Sequence, residues 1–129
     1  MKKILISVLV FGFFSCQSGS EEALKLIDAA LIEGHDVVMP KSMKLADMKE
    51  AMVAKLDSTN ADQLAKAQDI SRRMDQAEAA MYSWMDAYRE VQDEVKDPIE
   101  KLKRFQAMKT QIDSIAVITD QVIADAKGF

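Results

Sequence analysis

Apolar residues recur in steps of three and four along most of this chain, the spacing of one face of an α-helix. The longest unbroken stripe is Ala67, Ile70, Met74, Ala77, Met81, Trp84, Tyr88, Val91, Val95. A second runs through Leu102, Phe105, Met108, Ile112, Ile115, Thr119 and Val122, flanked by Ala116 and Ile123. A third, heptad-like stripe precedes both: Leu24, Ile27, Leu31, Val38, Leu45, Met48, Met52. Strand-forming residues are never set in alternating runs, so the pattern predicts three long helices and no sheet.

Local chemistry marks where these helices begin and end. Ser20 is an N-cap residue, and Glu21 and Glu22 suit the positive end of the first helix dipole. That helix is expected to stop near Lys55 and Leu56, before a turn made of Asp57, Ser58, Thr59 and Asn60. Asn60 and Gln63 form a capping box for the second helix. Asp97 caps the third, Pro98 fills its first position where a missing N–H costs nothing, and Glu100 completes the box. The third helix runs to about Lys127, with Gly128 as C-cap. Short connections between long helices force antiparallel neighbours. The expected fold is therefore all-α, an elongated antiparallel up-down-up three-helix bundle over residues 21–129.

The first residues follow a different rule. Met1, Lys2 and Lys3 lead into an apolar run over residues 4–14, then Ser15 and Cys16, the sole cysteine. This three-part layout is that of a bacterial lipoprotein signal, and the run is too short to span a bilayer. Residues 1–15 read as the signal peptide, Cys16 as the lipidated residue, and residues 16–20 as a polar tether. Phe14 is unusual in such a recognition box, and the rival is ordinary cleavage near Ser18 and Gly19, releasing a secreted protein. Acyl chains on Cys16 would hold the domain to a membrane, each buried CH₂ adding about 0.8 kcal/mol. The expected location is the cell envelope, the outer membrane before the inner.

Composition narrows the function classes. The 129 residues fit one domain. Loss of Lys2 and Lys3 with the signal lowers the 17 basic residues to 15 against 21 acidic ones, a net charge of −6. An acidic surface does not suit nucleic acid. Lipidation of Cys16 would consume the only thiol and leave neither disulfide nor thiol chemistry. The chain has no phosphate-cradling glycine loop and no serine elbow. Its paired carboxylates fall at helix ends or on charged faces, and Arg72 and Arg73 lie on a polar, solvated face. The expectation is a non-enzymatic module that meets a protein partner or a second copy of itself.

One stretch breaks the helical pattern and offers chemistry. Within residues 34–43, Gly34 costs about 1 kcal/mol relative to Ala in a helix, and Pro40 should kink the first helix. His35, Met39 and Met43 are spaced by four in one slanting row. Antiparallel reflection through the first turn sets His35 opposite Met81 and Met43 near Met74 to within about one turn, so His35, Met39, Met81, Trp84 and Met85 are expected in one layer with Met108 of the third helix close by. His35, Met39, Met81 and Met85 thus form a candidate soft-metal set, with Trp84, Met43, Met74 and Met108 in support. Thioether and imidazole donors favour Cu(I), and a Trp face adds a cation–π contact. Haem ligation by a His/Met pair is a third use, but the chain lacks a Cys-x-x-Cys-His motif. The plain alternative is that the cluster is simply packed core, with Met as gap-filler.

The run His35, Asp36, Val38, Met39, Pro40, Lys41, followed by Met81, Trp84 and Met85, resembles a group of small Bacteroidota lipoproteins often labelled "viral A-type inclusion protein". The resemblance extends from the signal peptide through the third helix. It implies a lipid-anchored helical domain with a His/Met/Trp motif and no established activity. The residue types are also similar to those of periplasmic copper-efflux chaperones, which are β-barrels, so that likeness is of ligands and not of fold.

Overall fold

The computed structural model describes residues 17–129, all helices and turns, with no strand among the described residues. Cys16 and the signal segment lie outside them. Four helices follow in order: α1 (Gln17–Ser42), α2 (Leu45–Val53), α3 (Ala61–Glu94) and α4 (Pro98–Lys127). Among the described residues no helix is long and apolar enough to cross a membrane.

Asn60 and Asp97 cap α3 and α4 as expected, but neither capping box closes, and Glu100 Oε1 accepts instead from Arg104 Nε at 2.9 Å. Asn60 Oδ1 accepts from the Gln63 backbone N–H at 3.1 Å. Gln63 Oε1 reaches back to the Asp57 N–H, not to that of the cap residue, at 3.0 Å. Asp97 Oδ1 accepts from the Glu100 N–H at 2.7 Å, with Pro98 in the first turn and Gly128 closing α4. Each such cap contributes about 1 kcal/mol.

The first helix differs from expectation at both ends. It starts at Gln17, so residues 17–20 are helical and Ser20 lies inside the helix, not at its cap. Gly19 is only a weak breaker, and extending an existing helix costs far less than starting one. The expected continuous helix to Leu56 is also two helices. Pro40 sits inside α1, where it removes the N–H that would bond the Asp36 carbonyl. The ladder then tightens: the Lys44 N–H donates to Lys41 O at 3.1 Å, one residue short of the α spacing. α2 restarts at Leu45.

The tight turn has a packing consequence. Leu31, Val38, Leu45 and Met52 recur every seven residues, and all are at most 3% exposed. A straight α-helix drifts by about 20° per heptad. One residue of tighter winding advances the chain by about that amount, so Leu45 and Met52 return to the core face.

Helix order in space follows from specific pairs. Along α1 and α3, Asp28 meets Tyr88 and Gln92, while Lys49 of α2 pairs with Asp75, so numbers rise on one side as they fall on the other. α3 and α4 are likewise opposed: Trp84 Nε1 donates to Met108 O at 3.0 Å, and Arg73 pairs with Asp125 at 2.7 Å. α1 and α4 run the same way, with Gly34 against Ile112 and Lys41 bonded to Asp120 at 2.7 Å. Gly34 therefore serves close packing. A Cβ there would lie 3.1 Å from Ile112 Cγ2.

The interior divides into two apolar clusters. The upper joins Leu31, Val38, Met81, Trp84, Val91, Phe105, Met108, Ile112 and Ile115. The lower joins Leu45, Met52, Ala67, Ile70, Met74, Ala77 and Val122. Burying such a side chain fully is worth about 1.5–3 kcal/mol. Arg73, expected to be solvated, instead bonds Asp69 within α3 and Asp125 across to α4. Its neighbour Arg72 is exposed and bonds Asp69 on its own helix.

Candidate functional site

The α1–α3 seam carries the motif residues. Asp28, Ile32, His35 and Met39 recur in steps of four, three and four, placing them on one face of α1. Met81, Met85, Tyr88 and Gln92 do the same on α3. Between the two faces lies a groove of about 290 Å³, lined by Ile32, His35, Trp84, Met85 and Tyr88, with Asp86 and Arg89 also contributing. Asp86 and Arg89 are exposed and paired with each other at 2.6 Å, which leaves the walls mainly apolar.

Those walls are fixed from behind. Trp84 is 4% exposed and anchored by its Nε1–H to Met108 O. The Tyr88 hydroxyl donates to Asp28 Oδ1 at 2.5 Å, and Gln92 Nε2 donates to the same carboxylate oxygen at 2.8 Å. Burial first, and then the hydrogen bond to Asp28, raises the Tyr88 phenol above the usual tyrosine value. A near-parallel ring ladder connects the groove to the core. His35 and Trp84 centroids are 6.4 Å apart, Trp84 and Tyr88 5.5 Å, Tyr88 and Phe105 5.7 Å.

His35 is about one third exposed, and its Nδ1 lies 3.0 Å from Asp36 Oδ1. An ionised carboxylate can only accept, so this contact assigns the proton to Nδ1. In the neutral ring, Nε2 then carries the lone pair and is free to act as acceptor or ligand.

The seam brings together some of the sequence candidates and separates others. His35, Trp84 and Met85 line the groove, and Met39 packs partly buried against the upper cluster. Met81, fully buried, and Met108, 4% exposed, belong to that same cluster. Met74 instead belongs to the lower cluster. Met43 is 64% exposed at the helix break, so it does not meet Met74 as expected. At about 3.6 residues per turn Ser42 lies about 40° round the helix from buried Val38 and Met43 about 140°, so Ser42 faces the core and Met43 faces solvent. His35 stacks on Trp84 and lines the groove with Met85, both members of the expected layer, about one helical turn along α3 from Met81. The break and the 54–60 connection do not advance evenly by 1.5 Å per residue as the reflection assumed.

Ile32, Asp28 and Gln92 were not singled out by sequence. Their common face with His35 or Met85 was visible in the spacing, but two of them are polar and fall outside any apolar stripe. Among the described residues there is no group of three or more His, Cys, Asp or Glu side chains that could hold a metal ion. No family model, curated protein or solved structure matches this chain.

Proposed function

We propose that this chain is a lipid-anchored protein of the cell envelope, cut before Cys16 and held by a diacylglyceryl group on that cysteine. Its helices form an elongated up-down-up three-helix bundle that acts as a structural or protein-interaction module. The α1–α3 groove carries this reading: a concave, mainly apolar site with walls of Ile32, Trp84, Met85 and Tyr88, held rigid by hydrogen bonds behind Trp84 and Tyr88. Preorganised aromatic and Met side chains are the surfaces that protein partners use. A photo-crosslinking residue at position 32, in intact cells, tests it. The expected result is a discrete adduct that disappears with Met85→Glu and does not form from the exposed position 103. Equal labelling from positions 32 and 103 would overturn the reading.

A second reading is Cu(I) binding at the same seam through His35, Met39, Met81 and Met85, with Trp84 beside them. The His35–Asp36 contact favours it, because a carboxylate on one ring nitrogen orients the other toward a metal. Thioether and imidazole donors match the preference of Cu(I). A Cu(I) titration under reducing conditions decides the matter. Wild type should bind and the His35→Ala/Met81→Leu variant should not; equal binding, or none by either, excludes the site.

A further inference from the structure

Between the two apolar clusters lies a polar waist. Ser42 is 2% exposed and Thr119 is fully buried, yet neither hydroxyl has a hydrogen-bond partner. Helical Ser and Thr commonly donate to a carbonyl four residues back. Ser114 does so to Thr110 O at 3.0 Å, while Ser42 and Thr119 do not. Ser42 follows Lys41 and Thr119 precedes Asp120, and Lys41 bonds Asp120, so the two hydroxyls sit at one level of the fold. The same level holds the break between α1 and α2 at Met43 and Lys44, just after Pro40.

α2 has only nine residues, too few to be a stable helix by itself. It is held by Leu45, Met52 and the partly buried Met48 against Ala67, Ile70, Met74, Ala77 and Val122. Its ion pair to α3, Lys49 with Asp75, is solvent-exposed and adds little. None of its side chains belongs to the upper cluster.

From the break, the divided core and the two orphaned hydroxyls, we infer that α2 is a hinged flap. It opens about Met43 and Lys44 and uncovers Ile70 and Met74, while the upper cluster and the His35–Trp84 seam stay closed. Opening returns Ser42 and Thr119 to water, so the cost of burying them unpaired biases the flap outward. The device is independent of any ligand at the α1–α3 groove.

Hydrogen exchange of the full mature protein across a guanidinium series tests this. Amides of α2 should exchange by a local route, with weak denaturant dependence and protection well below that of residues 81–91. A Ser42→Ala/Thr119→Val variant should slow α2 exchange about thirty-fold, since closing the flap then buries no unpaired hydroxyl. Two results would overturn the inference. One is α2 and residues 81–91 exchanging with the same protection and denaturant slope. The other is a variant that slows residues 81–91 but leaves α2 unchanged, which would mean that the hydroxyls stay buried when α2 opens. If the double variant does not fold, the wild-type comparison still decides between one unit and two.

Discussion

Replacing Gly34 by Ala sets two opposed effects against each other. Ala is the better helix former by about 1 kcal/mol, so an exposed Gly34→Ala in α1 would stabilise. Here the new Cβ would lie 3.1 Å from Ile112 Cγ2 and 3.2 Å from Cγ1. Ile112 is fully buried and β-branched, so it has little freedom to turn away. Overpacking of this kind costs roughly 1–3 kcal/mol. The expected net effect is a loss of about 1 kcal/mol, or a fall in Tm of roughly 5 °C for a domain of this size. A double-mutant cycle separates the terms. In an Ile112→Ala background the contact is gone, and Gly34→Ala should stabilise by about 1 kcal/mol, giving a coupling near 2 kcal/mol. Urea denaturation of the four proteins reads it. Stabilisation of the wild-type background by Gly34→Ala, or a coupling of zero, would refute the close α1–α4 approach.

Three further outcomes follow from the same contacts. Trp84→Phe removes the buried bond from Nε1 to Met108 O, and the urea midpoint should fall by about 1–3 kcal/mol equivalent with an unchanged slope. Tyr88 has its pKa raised above 10.0 in the fold, by burial first and then by the bond to Asp28. The folded state therefore holds this proton more tightly, and the associated stability is present below pH 10 and lost as pH rises through the folded value. Tyr88→Phe should flatten that alkaline loss, and chemical denaturation between pH 8 and 11.5 (roughly the range in which tyrosine ionises) would show it; an unchanged slope contradicts it. Asp97→Ala removes the acceptor of the Glu100 N–H and should cost about 1 kcal/mol by thermal denaturation, whereas Asp97→Asn should cost much less.

The parts of the fold that were legible in sequence are those decided within a few residues. Asp97, Pro98 and Glu100 specify a helix start with no help from elsewhere, and the stripe from Ala67 to Val91 specifies its own buried face. Features that depend on distant partners were not legible. Gly34 looked like a weak point until Ile112 was placed beside it. Met43 shared a row with His35 and Met39, but that row drifts round the helix by about 40° per step, which leaves Met43 in solvent and Ser42 beside the core. Nothing local to Asp28 marks it as the acceptor for Tyr88 and Gln92, which lie 60 and 64 positions away. At the candidate site, His35, Trp84 and Met85 were found because their residue types are chemically distinctive. The apolar wall of Ile32 and the polar support of Asp28 were not, because such residues are common on any helix.

The proposed placement in the envelope rests on Cys16, and mass spectrometry of the N-terminus from native membranes tests it most directly. The expected product begins at Cys16, carries a diacylglyceryl group, and is absent from a Cys16→Ser variant. A chain beginning near Ser18 or Gly19, or one retaining Met1 with a free thiol at Cys16, would contradict the anchor and the envelope function built on it.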